Sequence, residues 1–215
     1  MNGQPNFAGR KYLTGFVLAV SLVLNLSSCG KSSDEGMGVV NVGLTDAAGD
    51  FLTYAVDVTS LTLTKANGTV VQTLPQRTRI DFAQLVDMTE FVTGATIPAG
   101  VYVSATLNLD YTNADIEVDD GNGAPVKILG ANIRDSQNIP VTTMSMTVQL
   151  DNARPLPIAP GIPALLDLDF NLAASNSVNM TGPVVTVSPM LVADVNPDAP
   201  KPHRIRGPLD SVDTQ

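Results

Sequence analysis

Val101-Tyr102-Val103-Ser104-Ala105-Thr106-Leu107-Asn108-Leu109-Asp110-Tyr111 decides the fold class. Val101, Val103, Ala105, Leu107, Leu109 and Tyr111 share one parity, and Tyr102, Ser104, Thr106 and Asn108 share the other. Alternation at period two marks a strand with one face on a core and one towards water. The strand is entered through Ile97-Pro98-Ala99-Gly100, with Pro at the second turn position and Gly at the fourth, as a type I turn favours.

The same pattern recurs on both sides. Upstream, Val40, Val42 and Leu44 alternate with small or polar neighbours, as do Val56 and Val58 and then Leu61 and Leu63. The change of parity between Val58 and Leu61 predicts a bulge near Thr59-Ser60. Asn67-Gly68 is a hairpin turn signal, with Val70 to Leu74 as the return strand and Ile80 to Phe82 as a further short strand. Leu85, Met88 and Val92 fall at helical spacing and predict one or two helical turns over 83–91. Downstream, Ile116 and Val118 alternate with acids, Asp120-Gly121-Asn122-Gly123 turns, and Val126 to Leu129 returns. Met144, Met146, Val148 and Leu150 form another alternating run, as do Leu166, Leu168, Phe170 and Leu172. Val185 and Val187 open a last strand towards Val195. The four prolines of Pro155 to Pro163 exclude a central strand there. About nine short strands separated by turn signals, with no long amphipathic helix, predict an all-β fold. The expected architecture is an antiparallel β-sandwich, Ig-like or transthyretin-like, with Leu107 and Phe170 in its core.

The amino-terminal segment reads differently. Arg10 and Lys11 precede a short apolar run from Tyr12 to Leu26, and Leu26-Ser27-Ser28-Cys29 follows, with the only cysteine of the chain. A membrane-spanning helix needs about 20 apolar residues; this run is shorter and ends in small residues, as a cleaved signal does. An ordinary secretory signal would end in an Ala-x-Ala-like site, which is not evident here. The four residues resemble the lipobox of bacterial lipoproteins. That resemblance implies cleavage between Ser28 and Cys29, a diacylglycerol on the Cys29 thiol and an acyl chain on its amino group. With Gly30 rather than Asp next, it also implies sorting to the outer membrane. Anchored acyl chains contribute roughly 0.8 kcal/mol per buried methylene, so two or three make release negligible. The expected organisation is a signal peptide (1–28), a polar flexible tether (29–36), the sandwich (37–195), a stiff Pro-rich linker (196–202) and a tail (203–215).

Cleavage before Cys29 removes 28 of 215 residues and leaves 187, enough for one domain with a real core. Arg10 and Lys11 leave with the signal, so 10 basic residues face 21 acidic ones, a net charge of −11. Such a surface excludes nucleic acid as a partner, because phosphates need Lys and Arg. No cysteine remains for a disulfide, so the core alone must stabilise the domain. There is no Trp, and only Phe51, Tyr54, Phe82, Phe91, Tyr102, Tyr111 and Phe170 supply aromatic rings beyond the signal.

Val42-Gly43-Leu44-Thr45-Asp46-Ala47 and Ile97-Pro98-Ala99-Gly100-Val101-Tyr102, with Ile80-Asp81-Phe82 before the latter, resemble motifs of domain of unknown function 4382 of secreted bacterial lipoproteins. Ala48 stands where that family typically has Pro. The resemblance covers about residues 37 to 195 and implies a β-sandwich in the cell envelope without an assigned activity. The tail, with Arg204-Ile205-Arg206-Gly207 and Ser211-Val212-Asp213, resembles the opening strand of a small β-barrel domain that follows this family, although Pro208 departs from it. Whether it is the start of a truncated second β domain or a disordered tail, the segment after Pro202 is expected to be mobile and to stand apart from the sandwich.

Candidate site residues are few. Asp115, Glu117, Asp119, Asp120 and Asn122 gather oxygen ligands at a Gly-rich turn, as calcium prefers. An EF-hand loop starting at Asp115 would need Gly at Asp120 and Glu at Val126, so alternation favours a solvated hairpin instead. Asp46 and Asp50 are read as turn caps. Catalysis by a nucleophile–base pair needs a histidine inside the fold, and the only one is His203, beyond the linker. The expected protein is therefore non-catalytic, with no cofactor beyond its lipid. It holds a membrane through that anchor and an envelope protein or glycan through its loops. The alternatives are a carbohydrate- or calcium-binding module and a hydrolase with an unrecognised carboxylate pair.

Overall fold

The computed structural model describes residues 36–46, 51–198 and 201–206, all within one compact unit, Asp34–Gln215. The signal segment 1–28, Cys29, the tether to residue 35, Asp50 and the tail beyond 206 lie outside the described residues.

The alternating patterns become strands. In chain order these are β1 Met37–Thr45, β2 Phe51–Lys65, β3 Val70–Gln72, β4 Thr78–Asp81, β5 Thr89–Pro98, β6 Gly100–Asp119, β7 Pro125–Ile128, β8 Ile133–Arg134, β9 Thr143–Gln149 and β10 Leu156–Ile158. They continue with β11 Ala164–Phe170, β12 Asn176–Asn179, β13 Val184–Val187, β14 Leu191–Val195 and β15 His203–Ile205. One helical turn, α1, spans Leu172–Ser175.

The 20-residue β6 is the spine of a seven-stranded sheet. It pairs with β2 along one side and with β10, β9 and β7 in succession along the other. The predicted bulge is present: register shifts between Val58 and Ser60. Pro157 is accommodated because β10 lies at the edge. A five-stranded sheet runs β14-β11-β1-β5-β15, and β12-β13-β8 form a small third sheet. The sandwich is not wholly antiparallel: β1 with β11, β13 with β8 and β15 with β5 are parallel pairs.

One continuous core joins the two large sheets. Val40, Val42, Leu44, Leu166, Leu168 and Phe170 meet Tyr54, Val56, Leu61, Leu63, Leu107 and Leu109, all essentially inaccessible. Each such side chain contributes about 1.5–3 kcal/mol. The Phe170 ring stands edge-on to Phe82 at 5.1 Å and to Tyr54 at 5.8 Å, the arrangement ring quadrupoles favour. Tyr54 and Tyr111 carry hydroxyls into this core. The Tyr54 hydroxyl donates to Asn176 Oδ1 at 3.2 Å and lies 3.0 Å from that of Tyr111. Burial pushes both phenols well above their ordinary range.

Four sequence expectations need correction. The face of β6 changes near its start: Val101 is 45% exposed and Tyr102 is fully buried. A register shift between Thr64 and Lys65 rotates the strand there, and Tyr102 donates its hydroxyl to the Pro98 carbonyl at 2.8 Å. Residues 83–91 are not a helix; a single 3₁₀ turn at Phe82–Gln84 gives way to β5, because pairing with β1 outweighs local spacing. Val185 to Val195 is two strands, β13 in the small sheet and β14 beside β11. Finally, the segment after Pro202 does not stand apart: β15 is the fifth strand of the sheet, pairing His203, Arg204 and Ile205 with Thr89, Glu90 and Phe91.

Candidate functional site

The acidic hairpin that the sequence singled out is the β6–β7 turn. Asp119 Oδ1 accepts the backbone N–H groups of Gly121 and Gly123, and Asp120 Oδ1 those of Asn122 and Ala124. Those bonds hold the Asp120 carboxyl below its ordinary value. Asp115 pairs with Lys127 at 2.9 Å across the strands. The carboxylates thus serve the turn and a cross-strand ion pair, and the structure does not converge them with Glu117 and Asn122 on a common point. Asp46 Oδ1 accepts the N–H of Leu172, 126 residues away, so this carboxylate anchors the start of α1.

A second acidic group lies on the outer face of the five-stranded sheet. Leu166, Leu168 and Phe170 point from β11 into the core, so Asp167 and Asp169 point outward. Register sets Asp167 beside Asp194 of β14 and Gly43 of β1, and Asp169 beside Thr45. Thr89 opens β5 on the same face. Apart from Gly43, these outer-face residues line a cavity of about 250 Å³ together with Val192, Pro197 and Lys201.

Pro197 and Lys201, of the carboxy-terminal segment, line part of the cavity. β14 and β15 are opposite edges of a five-stranded sheet, about 19 Å apart at the usual strand spacing. The chain from Val195 to His203 is eight residue steps, which reach at most about 29 Å. Asn196 starts this strap by donating its backbone N–H to the Leu165 carbonyl at 2.9 Å and accepting the Leu165 N–H on Oδ1 at 2.9 Å. Lys201 then inserts its ammonium among Thr45 Oγ1, the Asp46 carbonyl and the Val86 carbonyl, each at 2.7 Å, which uses all three of its donors. Beyond it, Arg204 reaches the buried Glu90 carboxylate at 2.5 Å and Arg206 reaches it at 3.0 Å.

Beneath this strap, polar atoms are left over. Thr89 is fully buried and Asp167 is 7% exposed. Thr89 Oγ1, Asp167 Oδ1 and Asp169 Oδ1 are inaccessible and have no hydrogen-bond partner. Gly43 makes room for them; a Cβ there would come within 2.2 Å of Thr89 Cγ2 and 2.7 Å of Asp167 Oδ1. Burial raises the carboxyls of Asp167 and Asp169 above their ordinary 3.8. His203 and Lys201 oppose the rise at Asp167 while Asp194 adds to it, and Lys201 opposes it at Asp169. Among the described residues, no three Asp, Glu, His or Cys side chains converge to hold a metal ion. The sequence displayed Asp167 and Asp169 on alternating positions, but Thr45, Thr89, Asp194 and Lys201 come to them only through strand pairing.

Fold and pocket together define a β-sandwich module with a polar cavity on the outside of one sheet. The chain belongs to the family described as "Domain of unknown function (DUF4382)", whose model matches residues 37–182. β13, β14, β15 and the strap lie beyond the matched segment. Comparison with curated proteins gives no match. Among solved structures, MbnP from Methylosinus trichosporium is similar at 11% identity, over 62% of this chain and 75% of that one. Its TM-score of 0.27 carries no argument about fold or function.

Proposed function

We propose that this protein is a non-catalytic, lipid-anchored module of the cell envelope, held by Cys29 on a membrane surface and presenting its sandwich for binding or assembly. The observation that carries the reading is Leu26-Ser27-Ser28-Cys29, placed after a basic stretch and a short apolar run and only eight residues before β1. An acylated Cys29 would place the sandwich one short polar tether from the bilayer. The strongly acidic composition keeps such a domain away from anionic head groups, leaving its loops and outer face directed towards other envelope components. Outer-membrane sorting follows from Gly30 within the same reading.

The test is mass spectrometry of the mature amino terminus after expression of the full chain in a diderm bacterium, with membrane fractionation. Cys29 is expected as the first residue, carrying a diacylglyceryl thioether, and Cys29→Ala is expected to stall processing or release the protein from membranes. A mature terminus elsewhere, or an unmodified Cys29 in a protein that fractionates away from membranes, overturns the reading.

A further inference from the structure

The geometry points to a second role for the cavity beneath the strap: it is a binding site for a primary ammonium group, with Asp167, Asp169 and Thr89 as the acceptors and Val192 and Pro197 as the wall for an alkyl stem. The argument begins with charge. Asp167, Asp169 and Asp194 line the cavity, and the one lysine there, Lys201, already donates to three oxygens outside this acidic set. The cavity therefore has a surplus of negative charge, together with three oxygen atoms that have no partner. An ammonium carries three donors and no acceptor, which matches that set in number and polarity. Lys201 shows the same solution a few ångströms along the sheet, an ammonium seated among one threonine hydroxyl and two further oxygens.

Spacing separates an ammonium from a metal ion. Asp167 and Asp169 are two residues apart on one face of a strand, which sets their stems about 6.6 Å apart. An ammonium nitrogen takes acceptors at about 2.8 Å along donors that diverge at roughly the tetrahedral angle, so it bridges oxygens about 4.6 Å apart. Calcium holds its oxygens at about 2.4 Å and wants six or more of them, and the described residues offer no convergent group of three acidic side chains. The carboxylate torsion is soft, so a small rotation brings the buried oxygens towards a guest. The cavity of about 250 Å³ holds a short alkylammonium, since a water molecule occupies about 30 Å³. Gly43 is part of the site in this account, because any side chain there would fill the space of the Asp167 carboxylate.

Isothermal titration of the full chain with n-butylammonium chloride tests the proposal, with tetramethylammonium as a cation of equal charge that has no N–H donor. Saturable binding of butylammonium is expected, weaker by about tenfold or more in Asp167→Asn and in Asp169→Asn, and unchanged in the hairpin variant Asp119→Asn. Removing a desolvated carboxylate does not endanger the fold, and melting curves of each variant verify that. A parallel titration with Nα-acetyl-lysine methylamide distinguishes the source. Tighter binding than butylammonium assigns the site to a lysine of a protein or peptide, and weaker binding assigns it to a free amine. The absence of saturation, equal affinity in the folded Asp variants, equal binding of tetramethylammonium, or tighter binding of calcium each overturns the proposal.

Discussion

Replacing both arginines of the carboxy-terminal strap, Arg204→Ala with Arg206→Ala, is expected to destabilise the whole sandwich. Glu90 is 2% exposed and receives Arg204 Nε at 2.5 Å and Arg206 Nε at 3.0 Å. Without them its carboxylate stays buried with its two cations gone. Removing one partner of a buried pair costs about 3–5 kcal/mol. The side chains of Arg204 and Arg206 are 27% and 49% exposed, so solvent screening lowers the expectation to about 2–3 kcal/mol. For a domain of this size that corresponds to a drop in Tm of about 4–12 °C. The assay is thermal and urea denaturation of the full chain at neutral pH, followed by circular dichroism. Adding Glu90→Gln to the double variant removes the stranded charge and should restore at least about half of the loss. A shift below about 0.5 kcal/mol, the usual surface value, would refute the reasoning and return the tail to the separate status its sequence suggests. A full loss that Glu90→Gln does not relieve would show that β15 pairing, not charge, holds the strap.

Gly100→Ala should cost about 1–3 kcal/mol in urea denaturation, since Gly100 has φ of +147° and a Cβ would lie 2.5 Å from Lys65 Cε; a neutral effect would show that the β5–β6 turn relaxes freely. The raised carboxyls of Asp167 and Asp169 give a pH signature. A carboxyl whose folded value lies above its unfolded one adds stability that is complete below the unfolded value and disappears as pH rises through the folded value. The melting temperature of Asp167→Asn/Asp169→Asn, compared with that of the native chain, should therefore gain as pH rises above the ordinary carboxyl value of 3.8 and level off once both carboxyls are ionised in the folded state. An offset that stays constant with pH would exclude these two groups as its source and point to charges near them, such as Asp194, Lys201 and His203.

Much of the fold was legible because the sandwich is built from period-two strands that meet one core. Leu107 and Phe170, chosen from alternation alone, are both fully buried or nearly so, and the Thr59-Ser60 bulge follows from a change of parity. What failed was decided by tertiary pairing. Leu85 and Met88 sit at helical spacing, yet the strand that β1 requires starts at Thr89. Val185 and Val195 read as one strand, because nothing local says that Ser188-Pro189-Met190 passes between sheets. The acidic hairpin was conspicuous through density of carboxylates along the chain, and those carboxylates turn out to satisfy their own turn. The cavity was inconspicuous because its residues come from positions 45, 89, 167, 169, 194 and 201. Only the outward parity of Asp167 and Asp169 on an otherwise apolar strand signalled it in the sequence.

The position of β1 has a consequence for how the chain reaches its native state. Its residue Val40 faces Ala95 on one side and Ala164 on the other, separations of 55 and 124 residues. Pairings that distant close large loops and slow folding relative to local contacts. At a synthesis rate of about 5–20 residues per second, the second neighbour of β1 arrives about 6–25 seconds after β1 itself. Until then the first strand has an unfilled edge and an uncovered apolar face. A chain so wired cannot complete its central sheet until β11 has been synthesised, so its first strand, made before the others, stays half-paired until then.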